Sequence, residues 1–112
     1  MQAHDPTKPL EIAVSESGEV RLLRLKGELD MAGVDRFQQL LTRPGPGTFV
    51  LDMRGLTFID SSGLRALIMA DERVRADGGR FIVVRGPARV NEVLEVTGVA
   101  RQIELVDEPP TL

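Results

Sequence analysis

From Val20 to Leu29 the chain alternates: Leu23, Leu25 and Leu29 share one face with Gly27, while Arg24, Lys26 and Glu28 fall on the other. A period of two puts successive side chains on opposite sides of a strand, so this segment predicts a strand with one buried face. Just before it, Leu10 to Ser15 reads as a shorter strand, and Glu16-Ser17-Gly18-Glu19 has the composition of a turn. The pair is expected to form an antiparallel hairpin. The period then lengthens. Asp30 is a favoured N-cap type, and Val34, Phe37, Leu40 and Leu41 follow at helical spacing. Arg43-Pro44-Gly45-Pro46-Gly47 stops that helix.

Thr48 to Met53 is an apolar strand suited to the centre of a sheet. Through Arg54-Gly55-Leu56-Thr57-Phe58-Ile59 it leads into Asp60-Ser61-Ser62-Gly63-Leu64 and a second helical stripe of Leu64, Leu67, Ile68 and Val74. Asp71, Glu72, Arg73 and Arg75 lie mostly off that stripe, which makes the helix amphipathic, and Gly78-Gly79 ends it. Arg80 and Arg85 enclose the strand Phe81-Ile82-Val83-Val84. Pro87 suits the first turn of a third helix with Val90, Val93 and Leu94 inside; Gly98 closes it, and Ile103 to Val106 is a last short strand. The order β-β-α-β-α-β-α-β predicts an α/β domain: a mixed β-sheet with parallel crossovers and helices packed against it. Residues 1–9 are expected to be a flexible N-terminal tail, 10–106 the domain, and 107–112, with Pro109 and Pro110, a C-terminal tail.

Composition narrows the function classes. A chain of 112 residues is the size of one domain and buries roughly 60–70% of its unfolded surface. A net charge of −3 without a Lys/Arg stripe argues against a nucleic-acid partner. With no cysteine, disulfides, thiolate metal sites and cysteine nucleophiles are excluded, which fits a cytoplasmic protein. The first nine residues lack the apolar core of a secretory signal, and no apolar run approaches the ~20 residues that cross a bilayer. No membrane partner is expected.

The candidate chemistry sits at the junction Asp60-Ser61-Ser62-Gly63, where a strand hands over to a helix. Backbone N–H groups at a helix start are unpaired and partly positive, which suits an anion or a phosphate. A serine hydrolase would need a base, yet the only histidine is His4 in the expected tail, and the Gly-x-Ser-x-Gly elbow lacks its leading glycine. Asp30, Asp52 and Asp60 could meet in space, but no spaced His/carboxylate motif supports a metal site; a transient Mg²⁺ contact inside a complex with a nucleotide enzyme stays open. Pro44-Gly45-Pro46-Gly47-Thr48 lacks the lysine of a P-loop, and Gly78-Gly79-Arg80 is accounted for by helix termination. No cofactor is expected. The plainest reading of Asp60-Ser61-Ser62 is a helix cap. Against it, one cap needs one side chain and here three polar groups follow one another, at the strand end where α/β proteins present functional groups.

Asp60-Ser61-Ser62-Gly63-Leu64 resembles the signature of STAS-domain anti-sigma-factor antagonists. Gly27-Glu28-Leu29-Asp30 is similar to that family's Gly-Glu-Leu-Asp segment, and Val96-Thr97-Gly98-Val99 to the close of its third helix. With three motifs in register, the likeness spans roughly Leu10 to Val106, nearly the whole domain. The resemblance implies a STAS fold and a phosphorylation switch at Ser61, the serine directly after the aspartate. It implies an anti-sigma factor with serine kinase activity as partner, bound by the unphosphorylated form so that the sigma factor is freed. A serine phosphatase resets the cycle. Asp30 would lie near the acceptor, and Asp60, Ser62, Gly63, Leu64 and Arg65 would belong to the recognition surface. Some members carry a small residue where Arg65 stands, so an arginine there would alter the partner surface or pair with phosphate. The competing reading is a STAS scaffold or ligand-sensing subunit that Ser61 does not switch. A weak homodimer stays open.

Overall fold

The hairpin expected from the alternating leucines forms, and everything else is added along one of its edges. In the structure, a computed structural model that describes residues 9–41 and 47–110, β1 (Glu11–Ser17) pairs antiparallel with β2 (Val20–Leu29). Ser17 faces Val20 across Gly18-Glu19, so β1 runs two residues beyond the expected Ser15. The remaining elements are α1 (Met31–Gln39), β3 (Thr48–Ile59), α2 (Ser61–Ala76), β4 (Arg80–Val84), α3 (Ala88–Thr97), a 3₁₀ turn (Val99–Arg101) and β5 (Glu104–Val106). The expected element order is the observed one. Pro87 precedes the first turn of α3 as its N-cap, with its carbonyl accepting from the Asn91 amide at 3.0 Å. The expected stop at Arg43-Pro44-Gly45-Pro46 lies outside the described residues.

The five strands lie in chain order, β1-β2-β3-β4-β5, with every pair after the first parallel. Parallel crossovers are right-handed, so three in succession moving one way across a sheet leave their helices on the same face. That face holds the main core. Leu23, Leu25 and Leu29 of β2, Leu51 and Met53 of β3, and Val83 of β4 meet Phe37 of α1, Ala66 and Leu67 of α2, and Leu94 of α3. Each of these buried Val, Leu, Met and Phe side chains contributes roughly 1.5–3 kcal/mol. The opposite face carries a smaller cluster, Leu22, Val50, Ile82 and Val84.

The central strand departs most from expectation. β3 was expected to end at Met53, yet it runs to Ile59. Its pairing with β4 stops at Asp52–Val84, while pairing with β2 continues to Ile59–Leu29. The register shifts twice, between Arg24/Lys26 and between Gly27/Glu28, and each time β3 carries one extra residue. Met53, Leu56 and Ile59, three apart, are therefore all buried. Asp52 satisfies the amide freed at the first shift: its Oδ1 accepts from the Arg54 N–H at 3.0 Å. At the second, Gly27 adopts φ +97°, which a side chain would resist. Glu28, expected with Arg24 and Lys26 on the polar face, is only 1% exposed, while Leu25 and Leu29 keep the core face as expected.

Candidate functional site

The ends of β2 and β3 each release a helix, and the two helix starts sit side by side. Asp60 leaves β3 with extended backbone (φ −109°, ψ −173°) and turns the chain into α2. Its Oδ1 accepts from the Gly63 amide at 3.0 Å, its carbonyl accepts from the Leu64 amide at 3.0 Å, and its own N–H donates to the Leu29 carbonyl at 3.3 Å. One residue thus ties the last residue of β2 to the first turn of α2. Gly63 makes this contact close. A Cβ there would lie 2.5 Å from the Leu29 carbonyl oxygen and 2.8 Å from Ile59 Cγ1, so no side chain fits without movement.

Leu29 is followed by Asp30, which caps α1 in the same manner. Its Oδ1 accepts from the Ala32 amide at 3.1 Å and the Gly33 amide at 3.3 Å. Asp30 and Asp60 line one open cleft of about 530 Å³ with Pro9, Leu10, Met31 and Arg36. Arg36 Nη1 donates to the Leu10 carbonyl at 2.8 Å, which anchors the chain before β1 against α1. Met31, at the lip, is 75% exposed.

Because Asp60 performs the capping, the serines are left over. Ser61 is exposed and Ser62 half-buried, and among the described residues neither hydroxyl makes a hydrogen bond. Leu64 is half-buried and packs against the core. Arg65 is exposed, one turn beyond Ser61, and has no partner among the described residues. Of the residues expected at the site, Asp30, Asp60, Ser61 and Ser62 share one end of the sheet, Gly63 holds them together, and Arg65 flanks them. The sequence reasoning missed Met31 and Arg36. Met31 had a signal, an apolar side chain directly after a cap; Arg36 had none, since its acceptor lies 26 positions away.

Asp52 does not join Asp30 and Asp60. It sits beside Val84 on the opposite face of the sheet and pairs with Arg54 Nη2 at 2.8 Å. Burial alone would push its carboxyl up, but the Arg54 hydrogen bonds and the Arg54 and Arg24 charges outweigh that and hold it below the usual range. Among the described residues no group of three or more His, Cys, Asp or Glu could hold a metal ion. His4 lies outside the described residues. A second cleft, about 470 Å³, opens between the end of β3 and α3 and is lined by Thr57, Phe58, Arg89 and Val93 among others. Among the described residues no helix is long and apolar enough to cross a membrane.

A five-stranded sheet with its helices on one face and an unengaged serine at the start of α2 corresponds to a known class of domain. The family model "Mlab, STAS domain" matches residues 12–107, and the chain belongs to the STAS-domain family. It is 31% identical over 74 residues to Osmosensory protein A of Mycobacterium tuberculosis, covering 64% of this chain and 47% of that protein. It therefore spans about half the length of that relative. It is 26% identical over 102 residues to the anti-sigma F factor antagonist of Paenibacillus polymyxa, covering 88% of this chain and 87% of that one. The solved anti-sigma factor antagonist from Mycobacterium paratuberculosis superposes with a TM-score of 0.73 at 26% identity, over 98% of this chain and 92% of that one. The fold also occurs within the murine Solute Carrier 26 family member A9 anion transporter, with a TM-score of 0.68 at 22% identity, over 81% of this chain and 16% of that one.

Proposed function

We propose that this domain is an anti-sigma-factor antagonist switched by phosphorylation of Ser61. In its unphosphorylated form it binds an anti-sigma factor with serine kinase activity and frees the sigma factor. It acts as a binding module and kinase substrate, without catalysis of its own, in the cytoplasm, and a serine phosphatase resets it. The observation that carries the reading is the division of labour at α2: Asp60 caps the helix, while the Ser61 hydroxyl stands exposed and unbonded. The likeness to two anti-sigma factor antagonists over most of the chain supports it.

Transfer of the γ-phosphoryl group of ATP to Ser61 Oγ releases ADP and the hydroxyl proton. The product adds about −1.5 to −2 charge at a helix N-terminus, where the dipole lets the fold tolerate it. In an interface the same charge lies beside Asp60 and the Asp30 cleft, so desolvation and repulsion act against the partner. A loss of only about 1.4 kcal/mol weakens binding tenfold. Asp30, Asp60, Ser62 and Arg65 form the polar part of the recognition surface, Met31 supplies an apolar contact, and Gly63 and Leu64 set its shape from beneath.

Incubation with the cognate kinase and ATP is expected to place phosphate on Ser61, read by mass spectrometry. Ser61→Ala should keep its affinity in the presence of ATP, and Ser61→Asp should bind about tenfold or more weakly. Phosphate on Ser62 alone, or nowhere, would sink the assignment. A second reading, a STAS scaffold or ligand-sensing subunit of a larger assembly, is favoured by the short span of Osmosensory protein A that this chain covers. A large self-complex in light scattering, with Ser61 untouched by any kinase, would select it.

A further inference from the structure

Along α2 the structure contains a rehearsal of what a phosphate on Ser61 would meet. Asp71 and Arg75 lie four residues apart on this helix and form an ion pair, Oδ2 to Nε at 3.3 Å. Ser61 and Arg65 repeat that spacing nearly three turns earlier, with the serine in the position of the acid. Residues at i and i+4 are neighbours on a helix surface, and the pair is stronger when the anion is on the N-terminal side, as it is here. Arg65 is also available. Arg21, Arg36, Arg54, Arg80 and Arg85 hold carboxylates or carbonyls, whereas Arg65 is exposed and has no partner among the described residues. Neither neighbour on its N-terminal side, Ser61 at i−4 or Ser62 at i−3, carries a charge that could occupy it.

We infer that Arg65 is the built-in receptor of phosphorylated Ser61, closing an intrahelical pair that does not exist until the phosphate arrives. This rests on Ser61 being the phosphoacceptor. A guanidinium offers two parallel N–H donors to a phosphate, a geometry a lysine does not reproduce. The pair holds the phosphate down on the outer face of α2, on the side away from Gly63, whose amide is already taken by Asp60. It also favours the dianion, lowering a second ionisation that otherwise lies at about 6, so the modified serine carries its full charge at neutral pH. The off state of the switch is thus a fixed phosphate–arginine surface rather than a free phosphate. A chain with a small residue at this position would lack it.

The test installs phosphoserine at position 61 of the full chain co-translationally, so that no kinase is involved, and follows its ³¹P resonance through a pH titration. In the otherwise unaltered chain the midpoint is expected about 0.3 of a pH unit or more below that of Arg65→Ala. Arg65→Lys should fall between them. Arg73→Ala removes another exposed arginine whose i−4 neighbour is Met69, and should leave the midpoint where it was. Equal midpoints with and without the Arg65 side chain overturn the pairing, and so does an equal shift from Arg73→Ala, which would mean general charge. A shift specific to Arg65 in a chain whose Ser61 the kinase never modifies upholds the pairing and removes the switch.

Discussion

Asp30-Met31-Ala32-Gly33 and Asp60-Ser61-Ser62-Gly63 begin two helices in the same way. In both, an extended aspartate turns its carboxylate onto the amide of the glycine three residues on, at 3.3 Å in α1 and 3.0 Å in α2. In both, the glycine is buried and has no room for a Cβ. The two residues between are what differ, exposed Met31 and Ala32 in one and Ser61 and Ser62 in the other. Since α1 is capped without a hydroxyl, α2 has no structural need of two. The comparison separates what the fold requires, Asp and Gly, from what the site adds, the serines.

The largest expected effect tests the glycines against each other. At Gly63 the obstructing atom is a backbone oxygen, Leu29 O at 2.5 Å; at Gly33 it is the Leu10 side chain, Cβ at 2.9 Å and Cδ2 at 3.0 Å. A strand carbonyl already engaged with the Asp60 amide cannot move alone. Gly63→Ala is therefore expected to cost about 3 kcal/mol and Gly33→Ala about 1 kcal/mol, read as shifts in the urea midpoint. Equal costs would mean that α2 is not seated on β2 by this contact, and the meeting of Asp60 and Asp30 in one cleft would lose its explanation.

The caps come next. Asp60→Ala and Asp30→Ala should each cost about 1 kcal/mol in the same measurement. Asp60→Asn, which keeps an acceptor, should recover most of the loss. If Asp60→Ala were nearly silent, a serine would have taken over the cap, and Ser61 would no longer count as surplus to the fold.

How far these features could be read in advance varies with their range. The alternation of Leu23, Arg24, Leu25 and Lys26 and the helical spacing of Leu64, Leu67 and Ile68 are local, and they located β2 and α2. The second half of β3 was hidden because its two extra residues break the period: Met53, Leu56 and Ile59 are buried at a spacing of three, which is neither strand nor helix. Glu28 was misplaced although β2 itself keeps its alternation: Leu25 and Leu29 hold the core face as expected, yet the residue between them on the other face is buried too. At the site, Asp30, Asp60 and the serines were legible as helix-start chemistry. The cleft was not, because Leu10 and Arg36 reach it through a bond between distant residues, and Asp52 was drawn toward it only by its residue type.

The smallest expected effect on stability bears hardest on the comparison. Replacing Ser61 by Ala makes α2 begin more like α1, with Asp60 and Gly63 untouched. Ser61 hydrogen-bonds to nothing among the described residues, and alanine is the better helix former by no more than about 0.7 kcal/mol. Ser61→Ala should therefore change stability by less than about 0.5 kcal/mol, a shift of no more than roughly 2–4 °C in the thermal midpoint of a domain this size. Ser62→Ala should be similarly mild, its half-buried side chain having no hydrogen bond to lose. A loss of 1 kcal/mol or more at Ser61 would return it to the fold as a second cap. A silent substitution would leave its hydroxyl without a structural reason to be there, as expected of a residue kept for what is done to it.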